Sequence, residues 1–311
     1  MTRLAFRSLA SRPLRTVLTV MAILLGVAMI TGTYVLTDQI DKGFSDGFET
    51  GFKGTAVLVE PKTSFTTLQN NQAQTLDAGV LAQVRAVPGV AKAAGEYLTM
   101  GATIVDGKTV QTGGAPTILA ANPGEPFSQT TLVTGRVVQA RNEVSIVKSY
   151  ADEAGLKPGD SFTVAGRAGL QKVKVVGVFE WGNEGLMSGT IAVLNARSSA
   201  SYDGRVVAGR LEDVQRWGGE PGALTGIDVA ADPGVTPKEL AKRVETALPA
   251  TLNVKTGEQA AADATAYTSG GIGSILTPVL LAFAGVSVFV GAFIILNAFN
   301  ITVAQRRREF A

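Results

Sequence analysis

The sequence predicts a membrane protein in which two transmembrane α-helices flank an α+β domain held outside the cytoplasm. Three observations carry that reading. Residues 17–36 and 275–304 are uncharged runs, and about 20 apolar residues suffice to cross a bilayer's hydrocarbon core. Arginines gather on the outer flank of each run, with Arg3, Arg7, Arg12 and Arg15 before the first and Arg306, Arg307 and Arg308 after the second. Between the runs, short β-patterned and helix-patterned segments follow one another, as in a folded domain.

Basic residues mark the cytoplasmic side of a span. Residues 1–16 and 305–311 are therefore expected inside the cell and the middle of the chain outside. The first run is read as a retained anchor at 17–36. A signal-peptide core is shorter, about 7–15 residues, and Tyr34-Val35-Leu36-Thr37-Asp38 offers no small-residue cleavage site. Of 28 basic and 26 acidic residues, seven and one lie at the two ends, which leaves the middle with a net charge of −4 and no case for a nucleic-acid partner. The chain has no cysteine and no histidine, which excludes disulfides, thiol catalysis, histidine-based triads and histidine- or cysteine-ligated metals. No enzyme activity and no cofactor are expected.

The middle reads as follows. Residues 37–54 form a stalk continuing the first span, with Phe44, Phe48 and Phe52 on one helical face. A β-α-β subdomain begins at 55–134. Its strand at 55–60 precedes a polar, mobile loop at 65–75. Asp77 caps a helix whose apolar face is Val80, Leu81, Val84 and Val87, and a strand follows at 90–96. A hairpin turns at Asp106-Gly107, and another short strand covers 117–121. An inserted, mostly-β subdomain is placed at 135–220. It holds a strand at 143–148, a short helix capped by Ser149 and stopped by Gly155, strands at 162–164, 172–179 and 191–194, and a helix at 211–217. The β-α-β subdomain resumes at 221–260. There Thr236-Pro237-Lys238-Glu239 is a strong helix start, with Leu240, Val244, Ala247 and Leu248 as the buried face. The order helix, proline, short strand, Gly-Glu occurs twice, and the two β-α-β halves are read as related. Residues 261–274 are a linker to the second span, 275–304.

Several motifs carry no chemistry in context. Ser145-Ile146-Val147-Lys148 matches S-x-x-K, but on a strand its two ends face opposite ways. Asp152-Glu153 and Glu212-Asp213 are adjacent acids that diverge on a helix. There is no P-loop motif. The Gly-rich loop around Trp181 and Met187 is read as ordinary packing. Small residues at Gly26, Gly32, Ser287 and Gly291 suit close helix–helix packing within a membrane.

The chain resembles the N-terminal half of the MacB/FtsX-like permeases of ABC transporters. The resemblance rests on Arg7-Ser8-Leu9-Ala10-Ser11-Arg12-Pro13-Leu14-Arg15-Thr16, on Val84-Arg85-Ala86-Val87-Pro88-Gly89-Val90 and on Gly155-Leu156-Lys157-Pro158-Gly159-Asp160 with Val175-Val176-Gly177-Val178-Phe179. It also rests on the ending Gln305-Arg306-Arg307-Arg308-Glu309-Phe310-Ala311. It implies a permease subunit in the cell membrane that relays the motion of a separate ABC ATPase to an extracytoplasmic domain, for export or extraction of a substrate. Besides the lipid bilayer, it implies a second permease half or a second copy as partner. Family members carry further C-terminal spans, so this sequence is expected to be part of a longer permease. Arg306, Arg307, Arg308, Glu309 and Phe310 are the expected coupling segment toward the ATPase. The alternatives are a membrane-anchored binding or scaffold protein without transport activity and, behind it, a membrane-bound enzyme.

Overall fold

The computed structural model describes residues 13–62, 74–110, 117–128, 130–181 and 205–309; the side chain of Trp181 and some side chains of the two terminal helices are outside that description. Helix α1 (Pro13–Gly51) leads into strands β1 (Val57–Pro61) and β2 (Leu76–Asp77), then helix α2 (Gly79–Arg85). Strands β3 (Val90–Glu96), β4 (Leu98–Val105), β5 (Lys108–Thr109), β6 (Thr117–Ala121), β7 (Thr130–Gly135) and β8 (Glu143–Val147) come next. Helix α3 (Lys148–Ala154), strands β9 (Ser161–Gly166), β10 (Gly169–Trp181) and β11 (Val206–Gly209) and helix α4 (Leu211–Gly218) follow. The chain continues through β12 (Ala223–Leu224), β13 (Gly226–Ala231), helix α5 (Pro237–Ala247), β14 (Leu252–Thr256) and helix α6 (Gly257–Glu309).

The chain forms two units, Gly43–Thr268 and the pair of end segments Met1–Lys42 with Ser269–Ala311. In the end segments, many large apolar side chains point outward. Leu24, Phe283, Phe289 and Phe293 are all at least 60% exposed, whereas Thr33 and Ala284 are buried. Among the described residues no helix is long and apolar enough to cross a membrane, and each terminal run includes positions whose side chains lie outside that set. The linker expected at 261–274 is instead helical and belongs to α6. Alanines at 260–262, 264 and 266 favour a helix there.

Within Gly43–Thr268, one sheet has the order β14-β1-β13-β3, every neighbour antiparallel. The two β-α-β halves, β1-α2-β3 and β13-α5-β14, interleave in it as a split β-α-β arrangement. Alternation along the strands sends Val57, Val59, Ile227 and Val229 to one face. There they meet Val84 of α2 and Leu240 and Val244 of α5 in one core. Thr236 caps α5 as expected, its hydroxyl accepting the Glu239 N–H at 3.3 Å, with Pro237 at the first turn. At α2 the Asp77 carboxylate accepts the N–H of Gly79 (2.7 Å), while Ala78 occupies the cap.

The second sheet closes on itself. Strands β4, β6, β11, β8, β10 and β9 pair in that order, and β9 pairs back with β4, which makes a six-stranded ring with β5 and β7 at its margins. Two of these pairings, β6 with β11 and β8 with β10, are parallel. Its core includes Ile146, Tyr150, Phe162, Val164, Val173, Val175 and Trp217. Asp106 and Gly107 both have positive φ and join β4 to β5 in a two-residue turn, as their sequence predicts.

The inserted part, placed by sequence at 135–220, thus begins at β4, near Leu98. The reason is long-range: Ile118 to Ala121 pair with Val206 to Gly209, a partner no local pattern announces. Gly155 stops α3 in a left-handed conformation as expected. Ser149 does not cap that helix, because the helix already starts at Lys148, whose ammonium pairs with Asp152 one turn on. The strand expected at 191–194, the loop 182–187 beyond Trp181 and most of the loop at 65–75 lie outside the described residues.

Candidate functional site: the stalk joint

A set of buried contacts lies where α1 leads into β1 and β14 leads into α6. Phe44, Phe48 and Phe52 are buried there, the first two with stacked rings 6.4 Å apart. Thr55 then takes the chain into β1. Its N–H donates to the Phe52 carbonyl (3.0 Å), and the next amide, of Ala56, donates to Val229 O (2.8 Å) on β13. Gly257, the first residue of α6, abuts the same link: its N–H donates to Ala56 O (3.1 Å). A Cβ at Gly257 would lie 3.2 Å from the Thr55 carbonyl carbon and closer still to its oxygen. Only glycine lets the two helices share this point. Thr256 caps α6 through Gln259, whose N–H donates to the Thr256 hydroxyl at 3.2 Å.

The sheet face turned away from α2 and α5 is polar, and the strand register explains why. Leu58 pairs with Asp228 on one side and Lys255 on the other, so Asp228, Leu58 and Lys255 share that face. Asp228 is buried and accepts a hydrogen bond from the Thr55 hydroxyl at 2.9 Å. Burial pushes its carboxyl above the usual aspartate range, against hydrogen bonds to Glu96 and Thr55 that act the other way. Lys255 reaches Glu60 at 3.3 Å and Asp263 of α6 at 2.5 Å. Burial pulls the Lys255 ammonium down, but Asp263 and Glu60 outweigh it and leave its pKa raised. The Lys255–Asp263 pair ties α6 to the sheet, and Asn253 adds a bond to Glu60 at 3.1 Å.

A second set of polar residues holds the ring. Asp213, 2% exposed, pairs with Arg216 (2.8 Å) and accepts the N–H of Asn142 (2.9 Å), whose side-chain oxygen accepts from Arg216 (2.7 Å). Glu212, next in line, faces out to Arg210. Glu153 pairs with buried Arg205, and Asp152 with Lys148. The two adjacent acid pairs diverge, as helix geometry demands. Tyr97, on the link between the two sheets, donates to Glu220 (3.2 Å), which also pairs with Arg167 (3.2 Å). Burial, then the Glu220 charge, pushes the Tyr97 hydroxyl up to about 12. Among the described residues no cluster of acids could hold a metal ion.

The residues singled out by sequence sit as follows. Arg306, Arg307, Arg308 and Glu309 end α6, with side chains outside the description, and Phe310 lies outside the described residues. Gly26 and Gly32 are in α1, the latter exposed with open space where a Cβ would stand. In α6, Gly291 is buried and Ser287 half-buried, its hydroxyl donating to Phe283 O at 2.9 Å. Thr55, Asp228, Glu96 and Lys255 were not singled out. An aspartate inside the apolar strand Gly-Ile-Asp-Val-Ala is the signal that marks one of them.

A split β-α-β sheet carrying an inserted β-ring between two long end helices defines an α+β domain held at the ends of helices. Residues 16–247 match the MacB-like periplasmic core domain, and the chain belongs to that family. The chain is similar to the periplasmic region of MacB from Actinobacillus actinomycetemcomitans, at 12% identity and a TM-score of 0.48, covering 67% of this chain and 92% of that one. It is similar to the extracellular domain of the noncanonic ABC-type transporter YknZ from Gram-positive bacteria, at 14% identity and a TM-score of 0.44, covering 64% and 98%. A domain of a putative permease protein from Porphyromonas gingivalis matches at 18% identity and a TM-score of 0.41, covering 66% and 90%. No curated protein matches the sequence.

Proposed function

We propose that this chain is a permease component of an ABC transporter, anchored in the cell membrane by residues 17–36 and 275–304, with both termini cytoplasmic and residues 43–268 outside. It relays the motion of a separate ATPase to that outer unit, which acts on a substrate being exported or extracted, and it performs no catalytic step itself. The observation that carries the relay is the joint. The chain enters through α1 and leaves through α6 at one point of one sheet, held by the Gly257–Ala56 bond and the Lys255–Asp263 pair. Motion of either helix is therefore delivered to the same strands. The membrane placement is supported by the end segments, where large apolar groups face outward. That pattern suits helices solvated by lipid. Arg306 to Phe310 is the segment assigned to the ATPase, and Gly26, Gly32, Ser287 and Gly291 the helix-packing positions.

Two measurements test this reading. Cysteines placed at Ser11 and Ser201 should be, respectively, protected from and labelled by an impermeant thiol reagent in intact cells, and the reverse pattern would refute the topology. Glu309→Ala with Phe310→Ala, in the longest natural form of the protein, should leave membrane levels normal because every arginine stays. It should abolish association with the ATPase or nucleotide-dependent activity. Normal association and activity in that variant would reduce the segment to a topology anchor.

A further inference from the structure

The β-ring is covered at its two ends by the helices that follow its strands. Helix α4 follows β11 and brings Trp217 against Gly209, where a Cβ would stand 3.0 Å from the indole ring. Helix α3 follows β8, which runs antiparallel to β11, and so lies at the opposite end. At that end β6 and β11 begin, side by side and parallel, while β4 finishes and β9 starts. Alternation decides which side chains enter the ring there. Thr103 lies opposite Val164, a core residue, whereas the next pair along β9 is Thr163 with exposed Lys172. Thr117 lies opposite Gly101 and so shares the inner face with Thr103. Arg205 precedes Val206, the partner of Ile118, which sets it beside Thr117 on that face; its carbonyl accepts the Ile118 N–H at 3.0 Å. From α3, Tyr150 packs edge-on against Phe162 of β9, with ring centroids 6.2 Å apart, and Glu153, one turn on, pairs with Arg205. Thr103, Thr117 and Tyr150 are 0% exposed and Arg205 5%. Among the described residues, the Thr103, Thr117 and Tyr150 hydroxyls and Arg205 Nη1 have no hydrogen-bond partner. Arg205 commits its Nε (2.9 Å) and Nη2 to the Glu153 carboxylate. Burial raises the Tyr150 hydroxyl, and the nearby Thr103 hydroxyl and Arg205 guanidinium act the other way.

We propose that the α3 end of the ring is a binding site for an internal water, held by Arg205 Nη1 and the Thr103, Thr117 and Tyr150 hydroxyls, which fastens α3 to strands β4 and β6. Buried polar groups are satisfied by protein or by ordered water, and such a water commonly has about three partners. The chemistry of the four groups selects it. Nη1 only donates, while the hydroxyls both donate and accept, and water offers two of each. An anion is disfavoured because Glu153 already neutralises Arg205, so a second negative charge would be buried without a counter-charge. A cation is disfavoured by the guanidinium itself. The site stands on the ring's own geometry and does not depend on a relay through the joint.

The test removes hydroxyls without changing shape. Thr117→Val, Tyr150→Phe and the double variant are made in the full chain, held in detergent micelles and unfolded with urea, followed by tryptophan fluorescence. Deleting a buried hydroxyl that has no partner leaves stability equal or higher, whereas deleting one bonded to a held water loses a hydrogen bond. Each single variant should therefore raise the unfolding constant, by about 2–10-fold. The two hydroxyls do not bond each other, so only a shared water couples them. The double variant should depart from the product of the singles by at least about twofold. Oxygen-17 relaxation dispersion, which detects waters held far longer than surface water, should lose amplitude between wild type and the double variant. Thr117→Val alone gives the same reading should the double not fold. Single variants as stable as wild type or more so, additive effects, or an unchanged relaxation amplitude each overturn the proposal. Wild-type stability that rises with chloride over gluconate at equal ionic strength, but not in the double variant, assigns an anion and overturns the water.

Discussion

Asp213 and Glu212 are adjacent in sequence and opposite in consequence, and replacing each by alanine measures the difference. The Asp213 side chain is 2% exposed, that of Glu212 67%. Asp213→Ala removes the 2.8 Å pair with Arg216 and the acceptor of the Asn142 N–H. Leaving one member of a buried ion pair alone costs about 3–5 kcal/mol. Arg216 is 29% exposed and keeps its bond to the Asn142 side chain, so the lower end applies. The orphaned N–H adds about 1 kcal/mol, the low end for a buried donor. A loss of about 3–4 kcal/mol is expected, a large share of the roughly 5–15 kcal/mol typical of a folded domain. Glu212→Ala breaks only an exposed pair with Arg210, worth about 0–1 kcal/mol. Urea unfolding of residues 43–268, with midpoint and slope both measured, reads the difference. For a unit of this size the losses translate to roughly 6–16 °C in Tm for Asp213→Ala. Equal losses in the two variants would refute the assignment of Asp213 as the tie between α4 and the entry to β8.

Two further outcomes follow from the same geometry. Gly218→Ala places a Cβ 2.8–2.9 Å from ring carbons of buried Tyr97 and nearer still to its hydroxyl. The unit should be destabilised by about 1–3 kcal/mol, as for an overpacked core, and the companion Tyr97→Leu should relieve part of the clash; a Gly218→Ala variant as stable as wild type would refute the close approach. Glu143 is held down to about 2, from 4.5, by Arg136 first and then by the Ala140 N–H. A depressed folded-state pKa gives stability that is present above the unfolded value and lost as pH falls through the folded one. Wild type should therefore weaken between about pH 4.5 and 2 more steeply than Glu143→Gln, and identical acid profiles would remove Glu143 from the account.

Sequence by itself determined the features whose causes are local. Thr236-Pro237-Lys238-Glu239 caps α5 because a hydroxyl, a fixed φ and an N–H three residues on lie within one turn. Asp106-Gly107 makes a hairpin because both residues accept positive φ. The twofold order of helix, proline and strand is visible for the same reason, and so are the uncharged runs and their flanking arginines. Only the tertiary structure decided how these pieces combine. That β1 lies between β13 and β14, that β9 closes the ring onto β4, and that the inserted part opens near Leu98 all depend on pairings between distant segments. Strands of similar alternation can pair in many orders. The one adopted gathers apolar strand faces into two cores, one for each sheet, which is a property of the whole chain and not of any window. The joint shows the consequence most directly. Thr55 and Asp228 are 173 residues apart, and no spacing or motif connects them. They meet because β1 and β13 pair in one register, and a shift of a single residue would turn Asp228 to the opposite face.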